Sequence, residues 1–559
     1  MLLRRVEIQN FRGLKSATVD FDPTTAIVGE NSAGKTTLLD AIAICCSGRD
    51  DQVWLEVRDF HQDGDQPPAD TLQIALTFEE TEGEWGQASW SSFKRFVRAN
   101  GDGRRTIRLE ITGTRDATGN AVSAQWRFAA PAKDADTAQA GLLAEWRRLT
   151  PMLRLRANRY FEPGPRGDSG AIAAAEAPTP VAADPVARQL EQQIRLVYDR
   201  LAGDADIEEG ELQRGLDAAE QYLALHASGR TTASSSLPLQ MSDLAETPVR
   251  GPRGELPFSA IKHGSGTRGM ALVALVGVLL EARRYHTLTD DSQPLLVMED
   301  VEAHLHPVTL AAMWELIRTL RAQRILTTNS GELLASVPLR YIRRIVTDHL
   351  GTRVYRIDPA RYSVDDLRRI AYHVRIRRAG ACFARCWVMV EGETEAWLLP
   401  EFAQLCGYNC AAEGIHFVEF AQSGLTPLLR LANDLGIQWH LLTDGDEAGR
   451  GYAACARAQL KGRPVEDCLT ILEDRDIEHC LYYNGYEGLY QRLAGAGAQN
   501  PKGRRGRERA SHTIQRAIHA RSKPGLALAV LEAANQPGAP GVPPPLRRLI
   551  ETAIRLARG

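Results

Sequence analysis

The segment Gly29-Glu-Asn-Ser-Ala-Gly34-Lys35-Thr36 constrains this chain more than any other, because it fits G-x-x-x-x-G-K-[ST]. Glycines let such a loop curl until backbone N–H groups converge on phosphate oxygens, and the following helix adds its positive N-terminus. Ahead of the loop, Thr25-Ala-Ile-Val28 reads as a strand; behind it, Leu38, Leu39, Ile42 and Ala43 recur at helical spacing. A strand, a phosphate loop and a helix in that order predict an α/β fold that binds a nucleoside triphosphate. The candidate contacts are Gly29, Asn31, Gly34, Lys35, Thr36 and Thr37. Lys35 would reach the β- and γ-phosphates, and the Thr36 hydroxyl would ligate Mg2+.

With 559 residues the chain exceeds one hydrophobic core, so two or three domains are expected. Its 67 Lys and Arg against 70 Asp and Glu, net −3, exclude a wholly basic coat for nucleic acid but not a local basic groove. Nine Cys in so long a chain make no disulfide scaffold, and the spacings of Cys45–Cys46, Cys382–Cys386 and Cys406–Cys410 match no zinc pattern. Reduced thiols are the expectation. No apolar run is long enough to span a bilayer, and Met1-Leu-Leu-Arg-Arg leads into a strand-like pattern and not a signal segment. A cytoplasmic protein with no membrane partner is expected.

A phosphate loop needs an acidic strand end. Pro294-Leu-Leu-Val-Met298 reads as a buried strand ending in Glu299-Asp300, with Val301-Glu302-Ala-His304-Leu-His306 behind it. Glu299 would hold the Mg2+ through water and Asp300 would polarise the attacking water, although two acids there also suit a helix cap. Arg324-Ile-Leu-Thr-Thr-Asn329 is a further strand, and Asn329 at its end would sense the γ-phosphate. Between these pieces, 70–80 and 105–128 alternate apolar with polar and predict an antiparallel sheet. From 163 to 185 the composition turns to Ala, Pro, Gly and Asp, a linker; 186–227 has helical periodicity, either a core-covering hairpin or a projecting dimerisation arm.

A second carboxylate cluster lies beyond Cys386-Trp-Val-Met-Val390, an apolar strand followed by Glu391-Gly-Glu393-Thr-Glu395. Glu395 falls about one helical turn after Glu391, near enough to share a cation. Downstream, Gln438-Trp-His-Leu-Leu-Thr443 ends in Asp444-Gly-Asp446, whose carboxylates point the same way in an extended segment. Hard oxygens at one sheet edge suit Mg2+ or Mn2+, and two such ions can activate a water and stabilise the leaving oxygen of a phosphodiester. Glu473, Asp476 and Glu478 are further candidate ligands, and Lys523 would neutralise developing phosphorane charge, unless it is a plain surface lysine. Lys502-Gly-Arg-Arg-Gly-Arg-Glu-Arg509 suits either a DNA backbone track or a solvated loop.

These motifs resemble two families. Val6-Glu-Ile-Gln-Asn10-Phe11-Arg12-Gly13, the Asn-bearing phosphate loop and Lys262-His-Gly-Ser265-Gly266-Thr267-Arg268 are similar to the start, phosphate loop and signature of the RecF, Rad50 and SMC group of ABC-type ATPases. That resemblance implies ATP as the nucleotide and heads paired head to tail, with Ser265 meeting the partner's ATP. The group's Asp-Glu order is Glu299-Asp300 here and its switch His is Asn329, which points to slow turnover or ATP gating. The later carboxylates resemble the Toprim domain. Together they resemble the overcoming-lysogenization-defect (OLD) nucleases, an ABC ATPase head with an inserted helical arm followed by a Toprim domain. On that resemblance, 1–162 and 251–360 form the head, 163–250 the linker and arm, 361–384 a basic connector and 385–559 the Toprim nuclease domain. It implies an ATP-gated, metal-dependent DNA endonuclease using ATP and two Mg2+ or Mn2+ ions at the Toprim site, in phage defence or repair. It also implies a homodimer or larger assembly and, in some members, a UvrD-like helicase partner. The alternative is a DNA-repair clamp whose Toprim-like domain binds nucleic acid without cleaving it. A topoisomerase would need an activated tyrosine on a separate domain, and a primase would need template- and nucleotide-binding modules; the chain offers neither.

Overall fold

The computed structural model describes the chain apart from 48–49, 65, 82–87, 100–102, 117–120, 130–138, 156–188, 191, 195, 198–208, 228–291, 304, 306–309, 311–312, 315–316, 319, 321, 349–350, 373–378, 422 and 496–505. The linker at 163–185, the signature with Ser265, His304, His306, Arg375, Arg377, Arg378 and the start of the basic stretch at 502 therefore lie outside the described residues. The chain divides into two compact units, Met1–Arg356 and Ile357–Gly559.

Two sheets build the described part of the first unit. Strands β1 (Leu2–Phe11), β2 (Leu14–Asp20), β4 (Thr71–Glu79), β5 (Arg98–Ala99), β6 (Arg105–Arg115) and β7 (Val122–Phe128) form an antiparallel sheet, with β1 between β2 and β4. The pairs Ile8–Ile74, Ile74–Ile111 and Ile111–Trp126 stack apolar side chains on one face, as the alternation predicts. In β1 the buried set moves from Leu3 to Val6 and Ile8, out of strict alternation; a register shift between Leu3 and Arg5 accounts for it. Beneath this sheet Trp146 meets Phe78, Trp90, Phe93 and Phe128 at centroid distances of 4.8, 5.7, 5.3 and 5.4 Å. Such contacts contribute about 0.5–1.5 kcal/mol each beyond area burial.

The second sheet runs β12-β11-β3-β10-β9-β8, from β3 (Thr24–Gly29), β8 (Met152–Leu155), β9 (Leu295–Met298), β10 (Gln323–Thr327), β11 (Ile342–Asp348) and β12 (Gly351–Arg356). Its central strands pair in parallel, and only β12 is antiparallel. Thr24 to Val28 are buried, the near-continuous run expected of a strand covered on both faces. The loop after β3 feeds the helix Lys35–Cys46. Thus segments on either side of 156–291 complete a single sheet around the phosphate loop. Helix Glu209–Ala227 stands within the stretch whose periodicity predicted helix.

In the second unit, β13 (Cys386–Val390), β14 (Ile415–Glu419), β15 (Gln438–Thr443) and β16 (Leu469–Ile471) make a parallel sheet in the order β14-β13-β15-β16. The helices Glu393–Leu405, Leu425–Asp434 and Glu447–Arg457 follow β13, β14 and β15. The last helix, Pro544–Arg558, buries Leu546, Leu549, Ile550, Ala553, Ile554 and Ala557, an i, i+3, i+4 stripe that packs on the sheet. Asp434, buried at the end of its helix, accepts from the Tyr362 hydroxyl at 2.9 Å and pairs with Arg361, which ties the unit's first residues down.

Candidate nucleotide pocket and candidate metal centre

The phosphate loop has the shape that its glycines allow. Gly34 is left-handed, and a Cβ there would lie 2.5 Å from Leu14 Cδ2; a Cβ on Gly29 would lie 2.4 Å from the Ile345 carbonyl oxygen. Any other residue would open the cradle, so these positions fit a loop shaped to approach a polyphosphate closely. Lys35 is buried and donates to the Gly29 and Glu30 carbonyls at 2.6 and 3.1 Å and to Asn329 Oδ1 at 3.0 Å. Burial lowers its pKa, against the opposing pull of Asp300, Glu302 and Glu30. Thr36 and Thr37 open the helix beside it.

The acids after β9 divide between two surroundings. Glu299 is buried and takes a 2.5 Å bond from Arg154 Nε on β8; Arg154 also grips Asp40 at 2.6 Å, and Asp40 pairs with Arg12. The carboxylate expected to hold Mg2+ is therefore engaged by an arginine 145 residues away in sequence. Asp300 instead faces the pocket, with Oδ1 accepting from Asn329 Nδ2 at 3.4 Å and its amide donating to Thr327 Oγ1 at 3.2 Å. Its φ of 44° is strained for a non-glycine residue, a feature common at functional sites. Glu302, which the sequence reading passed over, accepts from the Asn329 amide at 2.6 Å, and burial raises its pKa. Lys35, Asn329, Asp300 and Glu302 thus form one polar cluster, and Glu299 belongs to another.

The carboxylates of the second unit gather at the C-terminal edge of its sheet. Cys386 pairs with Gln438, so Glu391 comes level with Thr443 and Asp444 follows one residue on. Gly445 presses against the segment after β16: its amide donates to the Asp474 carbonyl at 3.1 Å, and a Cβ would lie 2.3 Å from that oxygen. A Cβ on Gly449 would lie 1.9 Å from the Asp444 carbonyl oxygen. Both glycines of Asp444-Gly-Asp-Glu-Ala-Gly449 thus hold backbones close. Asp446 caps its helix, Oδ1 accepting from the Gly449 amide at 2.8 Å, which fixes that carboxylate's direction.

Asp476 caps a later short helix and accepts from His479 Nδ1 at 2.5 Å, and His479 Nε2 meets Ser511 Oγ at 2.8 Å. Glu478 is buried and pairs with Lys523 Nζ at 3.2 Å. Burial, then Glu395, Asp476, Glu391 and Glu478, push the Asp444 carboxyl up to about 8. Burial, then Asp446, raise Glu391; burial foremost raises Glu395 as well, with Glu478 and Glu391 adding to it. Lys523 stays above its ordinary value because Glu478, Glu395 and Asp476 outweigh its burial. Glu473 is exposed and is not among the carboxylates acting on Asp444.

Among the described residues no three His, Cys, Asp or Glu side chains form a ready-made cage. The acids nonetheless face one another at electrostatic range, with Lys523 acting on Glu391, Glu395 and Glu478. An all-oxygen donor set with surplus negative charge fits a hard divalent cation such as Mg2+ or Mn2+. The cysteines are free thiols, and most are buried.

The family model described as "Protein of unknown function (DUF2813)" matches residues 1–381, and the one described as "Overcoming lysogenization defect protein-like, TOPRIM domain" matches residues 382–446. The chain is 34% identical over 571 residues to "Uncharacterized protein YbjD" of Escherichia coli K12, covering 100% of both. It is 37% identical over 81 residues to an "OLD nuclease" of Thermus scotoductus, covering 14% of this chain and 15% of that one. The solved "SMC head domain from Thermotoga maritima" covers 64% of this chain and 100% of its own at 14% identity and a TM-score of 0.31, too distant to argue from. No described helix is long and apolar enough to cross a membrane.

Proposed function

Because the chain belongs to the DUF2813 family and carries an OLD-like Toprim domain behind a phosphate-loop head, we propose that it is an ATP-binding, metal-dependent DNA endonuclease. Cleavage occurs at the carboxylate edge, and the head gates it. The observation that carries this reading is the gathering of Glu391, Glu395, Asp444, Asp476 and Glu478 at one sheet edge, where burial, and then the neighbouring carboxylates, push Asp444 up to about 8.

Glu391, Glu395, Asp444 and Asp446 would hold the cation. Bound there, Mg2+ or Mn2+ supplies water activation and stabilises the leaving oxygen. Around it, Asp446 keeps its orientation through the Gly449 amide and Asp476 through His479. Lys523, poised on Glu478, offsets negative charge on the scissile phosphate. In the head, ATP takes the place that the Gly29 and Glu30 carbonyls now hold on Lys35, with Asp300 and Glu302 as the acids nearest the γ-phosphate. We assign 163–250 as a linker and helical dimerisation arm inserted into the head, 361–384 as the connector, and Ser265 as a contact to the ATP of a second copy.

Supercoiled plasmid incubated with Mg2+ or Mn2+, with and without ATP, tests the reading. Nicked circles that need the metal, at a rate that ATP changes, are expected. DNA binding without nicking under any of these conditions would overturn it and leave the repair clamp.

A further inference from the structure

One side of the carboxylate edge is walled by two aromatic rings that the metal chemistry does not use. Phe420 directly follows β14, and its amide donates to the Val390 carbonyl at 3.0 Å, which sets it beside Glu391. Tyr452 arrives from the helix Glu447–Arg457 that follows β15. The rings meet edge to face, with centroids 4.8 Å apart and planes at 71°. Since β13 lies between β14 and β15, this contact reaches across the strand end that bears Glu391. Tyr452 is half-buried, and its hydroxyl has no hydrogen-bond partner among the described residues. Burial, then Glu391 and Asp446, raise the phenol's pKa, so it remains a neutral donor.

A neutral donor has a particular use beside so many acids. A lysine or arginine there would be drawn onto the carboxylates, as Lys523 is drawn onto Glu478 at 3.2 Å, and would compete with the metal. A phenol donates to an anionic oxygen without cancelling the charge that binds the cation. We propose that the Tyr452 hydroxyl donates a hydrogen bond to a phosphodiester oxygen of the bound DNA strand, with Phe420 fixing its ring. Tyr452 is thus a substrate-positioning residue, and its role rests on the nuclease reading of the same edge.

The salt dependence separates this role from a general basic track. A neutral donor releases no counterions, so Tyr452→Phe lowers DNA affinity about tenfold at every salt concentration and leaves the slope of log K against log salt unchanged. Lys523→Ala makes that slope shallower. The measurements are fluorescence anisotropy of a labelled DNA duplex in Ca2+ across a salt series, and KM and kcat for plasmid nicking in Mg2+. The expected result is a KM raised by the same factor with kcat within about twofold. The variant keeps the ring contact with Phe420, so thermal unfolding should match the wild type. Wild-type affinity and KM in Tyr452→Phe, or a changed salt slope, would overturn the proposal. Should the wild type not nick, the nuclease reading fails, and anisotropy alone still decides whether the hydroxyl holds DNA.

Discussion

The nucleotide pocket and the carboxylate edge both lie at the C-terminal ends of parallel strands, and they handle charge in opposite ways. In the pocket each key group already has an internal partner. Lys35 is held by two carbonyls of its own loop and by Asn329, and Glu299 and Asp40 share Arg154. At the edge, carboxylates outnumber the cations near them, and burial, then those carboxylates, push the Asp444 carboxyl up to about 8. A nucleotide must therefore displace contacts that the head makes with itself, which suits a gate. A divalent cation supplies charge that the edge lacks, which suits a socket.

The contrast can be tested by unpairing one region and relaxing the other. Arg154→Ala removes the guanidinium that buried Glu299 and half-buried Asp40 share and should cost about 3–5 kcal/mol in chemical denaturation; a loss under 1 kcal/mol would show that the pocket is not latched. The edge's own scaffold depends on a neutral group, His440 on β15. Its Nδ1 lies 2.8 Å from the Asp467 carbonyl and must donate to it, while Nε2 accepts from Thr470 Oγ1 at 2.8 Å. Burial lowers this imidazole from 6.5 to about 4. The unfolded chain therefore takes up the proton first as pH falls. Stability is full above about pH 6.5 and falls by about 3 kcal/mol towards pH 4. His440→Gln should lose that part of the slope in urea titrations, and an unchanged slope would assign it elsewhere.

Lys35→Ala should weaken binding of a non-hydrolysable ATP analogue on the order of a hundredfold by isothermal titration, since its ammonium is the loop's phosphate cation. Wild-type affinity would remove the nucleotide assignment. The smallest effect has the opposite sign to the first. Asp444→Asn relaxes the crowded edge, and the metal-free protein should gain about 1 kcal/mol and lose thermal stabilisation by Mn2+. A destabilised variant would mean that the carboxylates are structural.

Much of this arrangement was legible in the sequence, for definite reasons. The phosphate loop and the antiparallel strands announce themselves through local spacing, and Glu391 and Asp444 each stand directly behind an apolar run that the structure folds as β13 or β15. What escaped was decided by distant partners. Nothing near Glu299 signals Arg154, which comes from another strand of the same sheet. The neighbouring Glu302 carries no local signal either, because the Asn329 amide that it accepts from comes from the end of another strand. Among the later acids, spacing could not tell exposed Glu473 from Asp476 and buried Glu478; the short helix beginning after Asp476 turns the latter two towards Asp444. The Phe420–Tyr452 contact joins the segments after β14 and β15, which flank β13 in the sheet, and no local pattern encodes it.

The central claim, one site that cuts and another that gates, is tested most directly by purifying Asp444→Ala and Lys35→Ala beside the wild type. Each is assayed for plasmid nicking in Mg2+ and Mn2+, with and without ATP, and for ATP binding on the same preparation. The account predicts that Asp444→Ala binds ATP normally and does not nick. It predicts that Lys35→Ala loses ATP binding and nicks at one rate whether or not ATP is present. Nicking by Asp444→Ala at the wild-type rate, or an ATP response that survives in Lys35→Ala, would contradict it.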